Sequence, residues 1–406
     1  MPTVFTINGG SSSIRFALYD VRDCATKLLD GKIDRIGVDG THMRVAAQRD
    51  GATSVTQAAV DAKNHRSVVQ FLMNWLGAQA FFAGLGAVGH RVVHGMQHSR
   101  PERVTPELLR ELHGIVAYDS EHLPRELELI EAVDGAHPHL PQVACFDTAF
   151  HRGMPRVAKL LSIPRRLQAK GLERYGFHGL SYTFLMSELV RLEDPAAARG
   201  RVILAHLGNG ASLAAVRDGR CIDTSMGFTP TSGLVMSTRS GDLDPGVLGF
   251  LAATEGMDAA ACQRMVTHES GLLGVSETSS DIRDLLERES ADVRAAEAVT
   301  LFCYQVKKWI GSFAAALGGL DTLVFAGGIG ENAASIRARI CGGLEFLGIV
   351  LDAARNAASA ALVSGDSGPV AVRVIRTDEE SVIAAMTVHA LALDTTQGRL
   401  KHATHD

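Results

Sequence analysis

The sequence predicts an α/β protein of two duplicated halves facing one cleft. Three observations carry that expectation. Residues 4–7 make an apolar strand, residues 14–19 an alternating partner, and Asn8-Gly9-Gly10-Ser11-Ser12-Ser13 lies between them. The design returns in the second half: a strand at 201–205, the loop His206-Leu207-Gly208-Asn209-Gly210-Ala211-Ser212, a strand at 213–216, and the charged turn Arg217-Asp218-Gly219-Arg220. Third, an apolar strand at 323–326 runs into Gly327-Gly328-Ile329-Gly330-Glu331-Asn332 and then a helix over about 335–344. Repetition of element order at this distance indicates internal duplication. The 406 residues suit two to three domains.

Each element has a local reason. In the first loop glycine frees the backbone to present N–H groups and serine adds hydroxyl donors, which suits a phosphate; an ordinary hairpin turn is the alternative. Thr105-Pro106-Glu107 is a helix start: a cap, a proline at N1 and an acid in the first turn. Val299, Cys303, Val306, Ile310, Phe313 and Leu317 alternate four and three apart, marking one buried helical stripe. Ser279 or Ser280 is expected to cap the helix carrying Asp281 and Arg283. Thr377 and Glu380 have the T-x-x-E spacing of a capping box after a strand at 370–375, which leaves Glu379 without a capping role. No linker or low-complexity tract separates the halves, so packing must define them.

Composition removes several function classes. Lys+Arg number 40 and Asp+Glu 45, a net charge of −5, so there is no basic footprint for nucleic acid or an anionic membrane. Six cysteines without a CxxC exclude zinc ribbons and thioredoxin-like motifs, and fit a reduced, cytoplasmic chain. The start, Met1-Pro2-Thr3-Val4-Phe5, lacks the basic and apolar regions of a signal peptide. The least polar stretch, 311–330, is broken by Asp321 and several glycines, which fits a buried helix end and a buried strand better than a membrane span.

The remaining polar residues suggest phosphoryl chemistry. His90-Arg91-Val92-Val93-His94 has an H-x-x-x-H spacing, but its valines favour strand and the metalloprotease glutamate is missing, so Arg91 is the residue of interest. An arginine at a strand end clamps a carboxylate or phosphate bidentately; a surface salt bridge is the plain alternative. Asp147 ends a short apolar strand and could bind Mg²⁺, orient an arginine or move a proton. His178 precedes a helix and could donate to an anion there, or be a satisfied core histidine. Residues 223–245 are dense in hydroxyls and glycines around Arg239; their length favours a functional loop, with a solvated loop as the plain alternative. Gly328-x-Gly330-x-x-Ala333 also matches a dinucleotide fingerprint, with Asp352 following at suitable spacing, which keeps an NAD(P)-dependent oxidoreductase as a rival. Three Gly-rich loops, two clamp arginines, a histidine and candidate Mg²⁺ acids are the parts phosphoryl transfer needs.

In that order these motifs resemble the acetate/propionate kinase family over almost the full length: 8–13, 89–95, 146–151, 174–179, 206–212, 223–245, 281–285, 326–332 and 377–380. The resemblance implies two duplicated actin-like (ribonuclease-H-like) domains, 1–148 with 378–406 and an adenosine-binding 149–377, in a homodimer. It implies reversible transfer of phosphate from ATP to acetate with Mg²⁺, or Mn²⁺ in its place, giving acetyl phosphate and ADP. By motif, Asn8 and Glu379 match metal-site residues, and Arg91 and Arg239 the clamps. Asp147 matches the catalytic aspartate and His178 the transition-state histidine. Ser12, Arg15 and His206, Leu207, Gly208, Asn209 and Gly210 match the nucleotide's phosphate side; Asp281, Ile282, Arg283 and Gly327, Gly328, Ile329, Gly330, Glu331, Asn332 match the adenosine side. Val93, Phe177 and Pro230 match the acyl pocket.

Three positions depart from the family pattern. Arg15 stands where lysine is usual, and Met96 where the pattern reads H-G-G. The usual P-L-H-N-P reads Ser120-Glu121-His122-Leu123-Pro124, so Glu121 replaces the aliphatic residue of the acyl pocket. Propionate or another short carboxylate, including a polar one, therefore stays open beside acetate. A non-catalytic nucleotide switch is the rival of a different class.

Overall fold

The computed structural model describes residues 3–10, 13–37, 39–49, 52–62, 64–194 and 196–393. The chain divides into two compact units, Met1–Asp147 with Asp378–Asp406, and Thr148–Thr377. Ser12 of the expected phosphate loop lies outside the described residues.

The first unit holds an eight-stranded sheet of β1 (Thr3–Gly9), β2 (Ser13–Asp20), β3 (Asp23–Asp34), β4 (His42–Arg49), β5 (Ala52–Ala59), β6 (Leu85–Val92), β7 (Glu102–Arg103) and β8 (Gln142–Phe146). The strand order is β5-β4-β3-β2-β1-β6-β8-β7, with β1 antiparallel to β2 and parallel to β6, and β6 parallel to β8. Period-two geometry sends alternate residues of β2 to opposite faces. Ile14, Phe16 and Leu18 pack with Phe5, Ile7 and, from the helix His65–Gly77, Val68, Leu72 and Leu76. Ala17 and Tyr19 pack with Ala384 and Val388 of the C-terminal helix Glu379–Ala390. A Cβ at Gly89 of β6 would lie 2.2 Å from Thr387 Oγ1 of that helix, so only glycine lets the two backbones approach.

The second unit holds β9 (Arg201–Leu207), β10 (Ala211–Arg217), β11 (Arg220–Thr224), β12 (Thr322–Ala326) and β13 (Ala371–Val374), in the order β11-β10-β9-β12-β13. β9 is antiparallel to β10 and parallel to β12, and β12 is parallel to β13. This is the order and polarity of β3-β2-β1-β6-β8, so the duplication inferred from two Gly-rich loops is a repeat of five strands. The loops occupy equivalent positions, β1 to β2 and β9 to β10. The helix Val293–Leu317 buries the whole stripe from Val299 to Leu317. Among the described residues no helix is long and apolar enough to cross a membrane.

Three local expectations need correction. Residues 327–332 are not an open loop but a short helix, Gly327–Asn332, which precedes a second one, Ala334–Cys341. Asp281, not Ser279 or Ser280, caps the helix Ile282–Arg288, its carboxylate accepting from the Arg283 N–H. Asp378, not Thr377, caps the C-terminal helix: its side chain accepts from the Ser381 N–H at 3.0 Å, and Ser381 Oγ donates back to the Asp378 carbonyl. Asp is an equal or better cap than Thr, and it also accepts from Tyr19 Oη at 3.2 Å and pairs with Lys27 at 2.9 Å. Glu380 is thereby released from capping and turns inward. Asp378→Ala should lower the unfolding free energy by about 1–2 kcal/mol in denaturant titration, and Asp378→Asn, which keeps a cap acceptor, by less.

Candidate active site

In the first unit the polar residues gather where the parallel strands end. Arg91 sits one residue from the end of β6, and Asp147 directly follows β8. Arg91 Nη2 donates to Asp147 Oδ2 at 2.9 Å, and Nη1 to Glu126 Oε1 at 2.8 Å. Glu126 Oε2 accepts from the Val93 N–H at 2.7 Å. Asn8, near the end of β1, donates through Nδ2 to Glu379 Oε2 at 2.9 Å and more distantly to Glu380 Oε1 at 3.4 Å. Arg15 is the register partner of Asn8 on β2, and its charge favours ionisation of both glutamates.

Charge is unevenly matched here. Burial acts to strip the proton from Arg91, but Asp147, Glu126 and Glu379 overcome it and hold the guanidinium above its ordinary pKa. Burial pushes the Glu126 carboxyl up to about 8, against the pull of Arg91 and the Val93 N–H. Burial first, and Asp147 second, raises Glu379; burial and then Glu379 raise Glu380. Three acids thus act on one largely buried arginine, and Glu380 adds a fourth beside Glu379. A cation held beside these acids would lower their pKa values and favour the ionised carboxylates. Among the described residues no three or more His, Cys, Asp or Glu side chains form a ready-made metal cluster. One amide and one or two carboxylates instead suit Mg²⁺, which keeps several waters and takes further ligands from phosphate.

The second unit gathers nitrogen donors around a glycine loop. His178, in a left-handed conformation (φ 60°), leads into the helix Gly179–Arg191. Its ring stacks on that of His206, centroids 4.3 Å apart. Both face the loop after β9: a Cβ at Gly210 would lie 3.2 Å from His178 Nε2 and 3.5 Å from Arg239 Nη1, and one at Gly208 would lie 3.8 Å from both His206 Nε2 and the Gly328 nitrogen. Glycine leaves that space open, so two imidazoles, a guanidinium and a backbone N–H border the loop. Arg239 Nη1 also donates to the Pro230 carbonyl at 3.1 Å. Glu331 Oε1 accepts from the N–H groups of Gly327 (3.0 Å) and Thr377 (3.2 Å), fixing the short helix to the segment after β13. Arg337, fully buried and without a carboxylate partner among the described residues, donates to the carbonyls of Gly330 and Glu331 and to Asn356.

The expected residues fall into groups. Asn8 joins Glu379; Arg91 joins Asp147 and the Val93 backbone; His178, His206, Gly208, Gly210, Arg239, Pro230 and Gly328 adjoin one loop. The Asn209 carbonyl accepts from the Ser237 N–H, and Leu207 and Ile329 are buried. Asp281 and Arg283 pair with each other beside buried Ile282. The Phe177 carbonyl faces His151 Nε2 at 2.9 Å. Glu121 is half-buried, its N–H donating to Asp119 Oδ1. Asp352, the acid of the dinucleotide alternative, caps the helix Ala353–Ala357 and accepts from the Arg355 N–H. Sequence reasoning missed Glu126 and Arg337. Glu126 had a signal: it interrupts the apolar stripe Leu123, Leu127, Ile130, Val133, all buried, and an acid on a buried stripe needs a buried partner.

Phosphate-type loops at the strand ends of duplicated five-stranded sheets, with arginines and histidines bordering them, define a phosphotransferase of the actin-like class. The chain belongs to the acetokinase family, whose model matches residues 3–385. It is 43% identical over 387 residues to the acetate kinase of Rhodopseudomonas palustris, covering 94% of this chain and 96% of that one. Among solved structures, the acetate kinase of Porphyromonas gingivalis superposes with a TM-score of 0.84 at 35% identity, covering 96% of this chain and 100% of that one. A propionate kinase from Francisella tularensis superposes at 0.87 with 34% identity, covering 95% and 99%. The chain is accordingly a phosphotransferase with a carboxyl group as acceptor.

Gly210→Ala places a methyl between His178 and Arg239. It should lower kcat by at least about 10-fold, approaching the roughly 10²–10³-fold cost of losing an oxyanion donor outright, while the melting temperature stays near wild type. Steady-state kinetics with a thermal melt checks this.

Proposed function

We propose that the chain transfers the γ-phosphoryl group of ATP to acetate, reversibly, with propionate as a secondary substrate. A carboxylate is already a nucleophile, so no base is needed. One carboxylate oxygen forms the new P–O bond, the bond from phosphorus to the ADP oxygen breaks, and no proton moves. What remains is to neutralise charge on the phosphoryl oxygens. The observation that carries this reading is the meeting of His178 Nε2 and Arg239 Nη1 at Gly210, which supports a phosphoryl position on the β9–β10 loop. Arg91, fixed by Asp147 and Glu126, is suited to clamp the substrate carboxylate bidentately. Asp147 then orients an arginine rather than removing a proton. Asn8 and Glu379 would hold Mg²⁺, which when bound neutralises phosphate charge. Backbone groups of Gly327–Asn332, held by Glu331 and Arg337, suit the adenosine side.

Trapping acyl phosphate as hydroxamate over a panel of carboxylates tests the reading. Acetate should react with ATP and Mg²⁺, and no product with any short carboxylate would overturn it. Arg91→Ala and Arg239→Ala should each lose on the order of 10²–10³-fold or more in kcat; Arg239→Ala should keep the wild-type melting temperature, whereas Arg91→Ala, which leaves Glu126 and Asp147 without their cation, should lower it. Glu121→Leu separates the acyl alternatives: if Glu121 lines the pocket, KM for acetate or propionate falls clearly; if it points away, all values stay within about twofold.

A further inference from the structure

The two stacked histidines are held alike from behind. His178 Nδ1 lies 2.8 Å from Ser212 Oγ, and His206 Nδ1 lies 2.8 Å from Ser181 Oγ. Each serine hydroxyl is hydrogen-bonded to a second one: Ser212 to Tyr182 Oη, and Ser181 to Thr377 Oγ1 at 2.9 Å. Ser181 and Tyr182 are neighbours in the first turn of the helix that His178 leads into, and Ser181, Tyr182 and Ser212 are all fully buried. The opposite ring nitrogens face the glycines of the β9–β10 loop: His178 Nε2 would lie 3.2 Å from a Cβ at Gly210, and His206 Nε2 3.8 Å from one at Gly208.

A neutral imidazole carries one N–H, and the partner of one nitrogen decides where it sits. A hydroxyl beside Nδ1 can either accept or donate, so the chain behind it decides. A phenol is a stronger donor than an aliphatic hydroxyl, and unprotonated imidazole nitrogen is the best acceptor in the chain. The run of bonds therefore polarises from Tyr182 to Ser212 to His178, and in parallel from Thr377 to Ser181 to His206. We infer that Ser212 with Tyr182, and Ser181 with Thr377, are positioning residues that fix His178 and His206 as Nε2–H tautomers, so that both present a neutral N–H to the phosphoryl group. This rests on the assignment of His178 to phosphoryl transfer made above. The left-handed backbone at His178 belongs to the same device: a sparsely populated conformation held by its surroundings sets the ring's direction.

Long-range ¹H–¹⁵N spectra of the histidine-labelled full chain, with His178 assigned from His178→Gln, read the tautomer directly. The wild type should show a pyridine-type Nδ1 and a protonated Nε2 at neutral pH. Ser212→Ala should lose that pattern and lower kcat about 10–100-fold, the range for partners that orient a functional imidazole, with KM for ATP and acetate within about twofold. Tyr182→Phe, which keeps the ring in the core, should do the same more weakly and guards against misfolding of the serine variant. An Nδ1–H tautomer in the wild type, or unchanged spectra and kcat in both variants, overturns the inference. Full activity of His178→Gln would instead overturn the assignment of His178 itself, and the inference with it.

Discussion

One buried guanidinium organises the first unit. Arg91 bonds to Asp147 and Glu126 through separate nitrogens, and Glu126 also takes the N–H of Val93, so side chain and backbone at the end of β6 are locked together. Taking charges out of water is costly, and only full pairing makes this arrangement tolerable. The pairing leaves acid in excess. That excess, with Asn8 reaching toward Glu379 and Glu380, is the electrostatic feature that supports the proposed cation site beside this strand end.

Duplication has given two copies of one five-stranded frame different chemistry. The first copy concentrates carboxylates around one arginine. The second turns histidine rings and a single arginine toward a glycine loop and backs the rings with hydroxyls. In the proposed reaction the first surface, by itself, suits a substrate carboxylate and a cation, and the second, by itself, suits phosphoryl oxygens on which charge grows in the transition state. Glycine matters in both copies for close approach: at Gly89 a helix meets the sheet, and at Gly208 and Gly210 a space stays open.

The frame was legible in the sequence because its signals are local. The alternation of β2, the continuous apolar run of β12 and the Val299-to-Leu317 stripe all follow from strand and helix periodicity. Capping was less so: several Asp, Ser and Thr residues compete within each start, and tertiary partners decided for Asp378, which Tyr19 and Lys27 hold from β2 and β3. The short helix Gly327–Asn332 was hidden because three of its first four residues are glycine; its carbonyls are held from outside by Arg337. Arg91, Asp147 and His178 could be suspected from strand and helix ends, but Glu126 depends on a contact 35 residues away in the chain. The hydroxyls behind the histidines carried no signal, since serine, threonine and tyrosine are common and only packing makes them a chain.

The central claim is that Arg91 and Glu126 act as one unit. A double-mutant cycle on unfolding free energy, with Arg91→Met, Glu126→Gln and the pair together, measures it most directly. A coupling energy of about 0.5–3 kcal/mol is the expected result for residues in one buried network. Additive effects, within about 0.3–0.5 kcal/mol, would contradict the account and leave Arg91 as a strand-end cation with no fixed direction.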